Sequence, residues 1–414
     1  MQKPFNRLVV YSIVGLMLSG LAYYWIPNAL SNVYVRGNKE ALNAMTHKTV
    51  LSDRDLTDVA PHTENLDAMV PPVSKVLDEP IAISHIATPS QVKALYMTSW
   101  VAGMSSMRDT VLKVARDTEI NSIVFDIKDY SGKIAYPVED PNLAQYKASE
   151  RRIPNLREYT NLLHKDGLYI IGRIAAFQDA YLVKLHPEYA VKTLSDKNKV
   201  WADRKGISWL DAGEKAVWDY LANIARDAYA QGVDEIQFDY IRFPSDGNMK
   251  DIYFPASNGK DKVEVITSFF EYVHQNFQTQ TPVVSADLFG MTATNTDDLG
   301  IGQKLEPALL NFDYVCPMVY PSHFPPTWNG IADPQSKPYE VIFASMGKAV
   351  SRATALGVPA TKLRPWLQEF GLFGQHYGAK EIRDQIQATY DVGLTSWMMW
   401  DPSNKYYAGG LLPN

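Results

Sequence analysis

Downstream of Gln91 the hydrophobic positions follow two rhythms in turn. Short, apolar-rich runs read as strands buried on both faces: Val92–Thr98 (VKALYMT), Ser122–Ile127 (SIVFDI), Leu168–Ala175 (LYIIGRIA), Glu235–Ile241 (EIQFDYI), Val283–Leu288 (VVSADL), Asp313–Val319 (DYVCPMV), Leu363–Gln368 (LRPWLQ) and Thr395–Trp400 (TSWMMW). Between them apolar residues recur three and four apart, the mark of a helix with one buried face. Ala216, Val217, Tyr220, Leu221, Ile224 and Ala228 make one such stripe, with Asp211 as its expected cap and Gly232 as its stop. Val111, Val114 and Ala115 make another, with Ser105 or Ser106 as the cap. Ile266, Phe269, Phe270, Val273 and Phe277 form the fourth, and Ile382, Ile386 and Tyr390 the seventh.

Eight strand-and-helix units over roughly 310 residues predict a single closed (β/α)8 barrel, a TIM barrel of the α/β class. The connections agree. Helix-to-strand turns are short and marked by glycine (Gly167, Gly232, Gly357, Gly393), whereas strand-to-helix segments are long at Ala176–Leu210, Arg242–Lys260 and Tyr320–Pro338. Only the C-terminal end of the strands is elaborated, and in this fold that end carries the active site. An open doubly wound sheet has the same alternation, but no glycine-rich phosphate loop follows the first strand.

Upstream the pattern differs. Leu8 to Ile26 is an uncharged apolar run, long enough to cross a bilayer core of about 30 Å as a helix. Lys3 and Arg7 precede it and Tyr23, Tyr24 and Trp25 close it, which predicts an anchor with its N-terminus in the cytoplasm. The competing reading is a signal peptide cleaved near Gly20-Leu21-Ala22. Both export the rest of the chain, so the expected location is the cell envelope or periplasm, or outside the cell if the segment is cleaved. The expected organisation is an anchor or signal over 1–27, a proline-punctuated tether over 28–90 and the barrel over 91–414.

Composition narrows the chemistry. The 414 residues carry a net charge of −6 and no long basic run, which argues against nucleic acid as partner. The lone cysteine, Cys316, allows no intrachain disulfide and no cysteine-based metal site. The eight histidines form no His-x-His or His-Glu-x-x-His pair, and no Gly-x-Ser-x-Gly elbow is present. No metal and no cofactor is expected.

What stands out is acid at the strand ends: Asp126 and Asp129 after strand two, Asp239 on strand four, Asp287 on strand five, Glu369 after strand seven and Asp401 after strand eight. Charged groups in buried strands are costly unless paired or used. Carboxylates converging on one mouth suit glycosidic cleavage, in which one neutral acid protonates the leaving oxygen and an ionised one attacks or activates water. Each could instead be a helix cap or an ion-pair partner, with Arg173 or Arg242 as counter-charge. Aromatics crowd the same end: Trp100, Trp201, Trp209, Tyr320, Trp328, Trp366 and Trp400. Such rings pack on the apolar faces of sugars; Trp201 and Trp209, in the long third loop, are the expected platforms. His323 is the histidine best placed to touch substrate.

The runs EIQFDYIRFP (Glu235–Pro244), DYVCPMVYPSHF (Asp313–Phe324), RPWLQEF (Arg364–Phe370) and SWMMWDPSNKY (Ser396–Tyr406) resemble a bacterial glycosyl hydrolase domain family, formerly a domain of unknown function, among the TIM-barrel glycosidases. The resemblance spans about Val92 to Tyr406 and implies hydrolysis of a polysaccharide. By position, Asp239 and Glu369 occupy the places where many barrel glycosidases keep their two catalytic acids. The resemblance thus implies Asp239 as general acid and Glu369 as nucleophile or base. The chain departs from the commonest pattern in having Asp rather than Glu on strand four. Asp287 is the competitor for the second role, and Asp126 for orienting substrate. Trp100, Asp129, Arg173, Trp201, Trp209, Tyr240, Arg242, Tyr320, His323, Trp366, Gln368 and Trp400 are the expected substrate contacts. Rival readings are a non-catalytic glycan-binding barrel serving as an envelope structural or assembly factor, and a deacetylase or amidase, which would want a metal triad.

Overall fold

The computed structural model describes residues 82–278, 282–372 and 374–414. Eight parallel strands close into a barrel in chain order: β1 Lys93–Met97, β2 Ser122–Lys128, β3 Tyr169–Ala175, β4 Glu235–Asp239, β5 Val283–Phe289, β6 Tyr314–Met318, β7 Trp366–Gln368 and β8 Trp397–Trp400. Each falls within or against one of the eight expected runs. Closure is made by β8 pairing back onto β1, with Ala94 opposite Met398, which excludes the open doubly wound sheet.

Seven helices cross over between consecutive strands: α1 Ser105–Asp117, α2 Leu156–Lys165, α3 Lys215–Ala230, α4 Lys262–Phe277, α5 Leu305–Asn311, α6 Pro338–Ala355 and α7 Ala379–Asp391. Among the described residues the eighth unit has no α-helix. A single 3-10 turn, Ala408–Gly410, follows β8. Gly410 sits so close to α7 that a Cβ there would lie 2.7 Å from Ile382. The chain end then runs beside the residues after α1, where the Glu119 amide donates to the Leu412 carbonyl at 2.8 Å.

Strand alternation makes two separate apolar cores. Residues such as Leu95, Ile123, Phe125, Ile170, Ile236 and Phe238 point outward and pack with the helices in one large cluster. Their alternates, Val92, Ala94, Tyr96, Val124, Tyr169, Ile171, Cys316, Trp366 and Met398, fill the barrel interior. A period of two puts successive side chains on opposite faces, and a closed barrel buries both. Inside, Gln237 on β4 reaches the sulfurs of Cys316 on β6 and Met398 on β8, at 3.4 and 3.5 Å. This is the alternate-strand layering of a packed barrel.

Two helix starts differ from expectation. Glu214, not Asp211, caps α3 by accepting from the Ala216 amide at 3.2 Å. Asp211 is buried and joins two mouth loops, accepting from the amides of Gly213, Ala256 and Ser257 and from the Ser257 hydroxyl. Gly213 is local, but Ala256 and Ser257 lie 45 and 46 residues along the chain, beyond any local pattern. Ser105 and Ser106 are the first residues of α1; Met104 stands at its cap position without a side-chain bond.

The chain enters at the base of the barrel, opposite the mouth. Asp234, just before β4, accepts from the amides of Ile86 and Ile170 at 2.9 Å each, and pairs with His85 at 3.3 Å and His164 at 2.9 Å. His85 stacks on Tyr229 with ring centroids 4.0 Å apart. Further in, Arg364 and Glu235 form a buried ion pair at 2.8 Å that closes the floor. The expected anchor over 1–27, and all but the last residues of the expected tether, lie outside the described residues. Among those described, no helix is long and apolar enough to cross a membrane.

Candidate active site

At the C-terminal end of the barrel the inward positions of β2, β3, β4 and β5 are Asp126, Arg173, Asp239 and Asp287. The Arg173 guanidinium sits among the three acids. Its Nη1 donates to Asp126 Oδ1 at 2.5 Å, its Nε to Asp239 Oδ2 at 3.1 Å with Nη2 on the same oxygen, and its Nε lies 3.5 Å from Asp287 Oδ2. Three carboxylates at buried strand ends repel one another, and one guanidinium between them supplies the counter-charge that makes the cluster tolerable.

The three acids are held differently. Asp239 Oδ1 also accepts from the Tyr240 amide at 2.5 Å, so this residue is both ion-paired and hydrogen-bonded. Asp126 takes the Tyr96 hydroxyl at 2.6 Å, and burial nonetheless pushes its pKa up. Asp287 Oδ1 accepts from the Trp366 indole at 2.6 Å, while its Oδ2 has no hydrogen-bond partner among the described residues. Burial, and then the adjacent Asp239 charge, push the Asp287 carboxyl well above the usual carboxylate range. Asp239 Oδ2 and Asp287 Oδ2 lie 3.1 and 3.5 Å from the same nitrogen, so no more than the sum, 6.6 Å, separates them.

Glu369 stands apart from this group. Phe370 beside it takes the inward place, packing on Tyr320 and Trp400. The Glu369 carboxyl instead accepts from the Tyr407 amide in the loop after β8, and Asp401 is the nearby acid. Its Oε2 is buried without a partner among the described residues, and burial raises its pKa to about 8. No hydrogen bond or ion pair among the described residues links Glu369 to Asp239, Asp287 or Arg173; the acids joined through one guanidinium are Asp126, Asp239 and Asp287. Asp401 accepts from the Ser403 amide and hydroxyl at 2.6 Å each, and closes its own turn.

The expected substrate contacts divide. Tyr320 stacks on the half-buried Trp400, centroids 5.3 Å apart, and with Phe370 and His323 makes an aromatic wall on the β6–β8 side. His323 is drawn down to a pKa of about 4 by burial and is neutral at neutral pH. Trp100, 37% exposed, has the Arg152 guanidinium 4.7 Å from its ring. Tyr240, half-buried, and Arg242 line the β3–β4 side. Tyr240 has φ +53°, a left-handed conformation that is unusual for a bulky residue and typical of strained functional sites.

Five expected contacts are taken up inside the protein. Trp201 and Trp209 are 2% and 1% exposed, so neither offers a ring face to a sugar. Trp201 donates to the Asn248 carbonyl at 3.1 Å, which binds the third loop to the fourth, and Trp209 donates to Asp203 of its own loop at 3.1 Å. Gln368 is fully buried and holds the loop after β6 through Ser322. Asp129 is occupied by Arg152 at 2.6 Å. Trp366 is buried and acts through Asp287. Loops this long need interior side chains of their own, and the sequence signal for a buried tryptophan equals that for an exposed one. Tyr96 and Arg152 were missed. Tyr96 was legible as the third inward position of the expected Val92–Thr98 run, after Val92 and Ala94; Arg152 lies in an irregular connection with no periodic signal.

A search of curated protein sequences gives no match. Among solved structures, the chain is similar to the glycoside hydrolase domain of PgaB (BpsB) from Bordetella bronchiseptica, at 13% identity and a TM-score of 0.54, covering 76% of this chain and 95% of that one. It is also similar to a hypothetical protein from Ruminiclostridium thermocellum, at 34% identity and a TM-score of 0.42, covering 50% of this chain and 98% of that one. At these values the first likeness shows the fold alone. The family is shown by a match along the chain itself: over residues 94–406 it fits the family described as "Putative glycosyl hydrolase domain", and it belongs to that family.

Proposed function

We propose that this protein hydrolyses a glycosidic bond of a polysaccharide laid across the barrel mouth, with Asp287 as general acid and Asp239 as nucleophile or base. The supporting observation is the pair itself: two carboxylates on one guanidinium, no more than 6.6 Å apart, in unlike surroundings. Burial and the Asp239 charge favour the protonated form of Asp287, and beyond Arg173 at 3.5 Å its Oδ2 has no partner among the described residues. Asp239 is ion-paired with Arg173. Groups whose surroundings separate their protonation are the usual division of acid from base. In the reaction Asp287 gives its proton to the leaving oxygen as the glycosidic bond breaks. Asp239 attacks the anomeric carbon, or takes a proton from the water that does. A separation of about 5 Å accompanies retention and roughly 6.5–9.5 Å inversion, so the bound favours retention. Asp126 orients Arg173, and Tyr320, His323 and Trp400 form the apolar wall of the cleft. Export to the envelope is part of this reading and rests on the Leu8–Ile26 run.

The test is release of reducing ends from a panel of envelope and secreted polysaccharides by the full-length chain, with Asp239→Asn, Asp287→Asn and Glu369→Gln alongside. Each of the first two changes should lower the rate by about 10²–10⁴, and Glu369→Gln should leave most of it. Release that depends on Glu369 but not on Asp287 would return the second role to Glu369. Binding without release by any variant supports the glycan-binding barrel.

A further inference from the structure

The buried arginines of this fold are matched by carboxylates: Arg173 by three aspartates, Arg152 by Asp129 and Glu150, Arg352 by Glu306 and Arg364 by Glu235. Arg242, at the mouth, is the exception. It is half-buried, and among the described residues no carboxylate lies within ion-pairing distance. Its Nη1 donates to the Phe243 carbonyl at 3.0 Å and to Ser245 Oγ at 3.3 Å. Its Nε and Nη2 make no hydrogen bond to the described residues, so one edge of the fork is uncommitted.

The fork is nonetheless held in place. The guanidinium lies 4.9 Å from the Trp209 ring and 5.7 Å from the Tyr240 ring. Trp209 is itself anchored on Asp203, whose carboxylate also takes the amides of Lys205 and Ile207 at 2.9 Å and the Gln178 amide at 3.2 Å. The acids nearest Arg242 (Tyr240's neighbour Asp239, Asp246 and Asp203) act on it only at longer range, and burial lowers its pKa. Lys205 adds a second cation nearby. A partly desolvated cation with no carboxylate in ion-pairing contact is costly, and a fixed guanidinium edge matches a carboxylate in two parallel hydrogen bonds. Position supplies the rest. Tyr240 follows Asp239 directly, and its ring lies 5.9 Å from Arg173 and 5.7 Å from Arg242. The Arg242 guanidinium is therefore one aromatic ring away from Arg173 and the acids it holds.

We propose that Arg242 forms a subsite for the carboxylate of a uronic acid residue, next to the point of cleavage, and that the substrate is an acidic, uronate-bearing polysaccharide. This rests on the glycosidase reading for its location at the cleavage site, but the binding it requires is measurable without turnover. Polygalacturonate, β-1,4-glucuronan and alginate would be compared with their carboxyl-reduced counterparts, which keep the linkages and lose the charge. Binding to the full-length chain is read by tryptophan fluorescence, and release of reducing ends is followed on the same polymers. At least one uronate polymer should bind about tenfold to a hundredfold more tightly than its reduced form. Arg242→Gln should abolish that difference, and Arg242→Lys, which keeps the charge but not the fork, should retain part of it. A thermal melt shows that each variant is folded. Equal binding of charged and reduced forms across the set, or a preference that survives Arg242→Gln, overturns the subsite. Release without charge preference leaves the hydrolase reading intact while the subsite fails. Charge-dependent binding with no release does the reverse.

Discussion

Glu369→Gln isolates the energetic consequence of one buried carboxyl. In the fold Glu369 is 6% exposed, its Oε1 accepts one backbone amide and its Oε2 has no partner among the described residues. Burial lifts its pKa from 4.5 to about 8, so the folded chain holds a proton that the unfolded chain releases. Stability from this group is fully present below about pH 4.5 and is lost as pH rises toward 8, because the unfolded state binds fewer protons across that window. At about 1.4 kcal/mol per pH unit, the full loss is about 5 kcal/mol, and about 3 kcal/mol is already lost at pH 7. Glutamine keeps the acceptor for Tyr407 and cannot ionise, while its amide takes the place of the protonated Oε2. Urea unfolding of both proteins from pH 4 to pH 9 should show near-equal stability at the acid end. The variant should become the more stable by several kcal/mol at pH 8 and above, with the difference flat beyond that. Buried acids that do not act on Glu369, such as Asp287, titrate in both proteins and cancel in the difference; the charge of Asp401 acts on Glu369 and is part of the lift being measured. A difference below 1 kcal/mol throughout, or one that grows toward low pH, would refute the picture of a neutral, unpartnered carboxyl.

Arg173→Met removes the cation shared by Asp126, Asp239 and Asp287; an expected loss of about 3–5 kcal/mol in urea unfolding at pH 8 should shrink at pH 5, where the acids can take up protons. Lys128 and Asp179 are both fully buried and 2.8 Å apart, so Lys128→Met should cost about 3–5 kcal/mol, and adding Asp179→Asn should restore part of it in a double-mutant cycle. Asp234→Ala removes the acceptor that clasps Ile86 and His85 to the barrel base; amide exchange at residues 84–88 should accelerate while residues at the mouth stay protected.

The strands were legible because a barrel strand, sealed on both faces, must be apolar at nearly every position, and local sequence carries that constraint. Turn glycines and helix stripes are equally local, so the asymmetry between short basal and long mouth connections could be read directly. The acids at strand ends were visible too, since a charge in an otherwise apolar run is conspicuous. Their grouping was not. That Asp126, Asp239 and Asp287 share Arg173 depends on the register among β2, β3, β4 and β5, and register comes from packing between segments far apart in the chain. Glu369 shows the limit most plainly. Sequence placed it at the end of β7, correctly, yet one step of alternation decides whether a side chain enters the mouth, and Phe370 takes that place. Likewise the tryptophans of the third loop read as sugar platforms because composition marks them as large and amphipathic. Only the tertiary structure decides that Asp203 and Asn248 bind their indoles and that the loops close over them. Local pattern determines which elements form and which face they bury; the pairing of charges across the mouth belongs to the closed barrel.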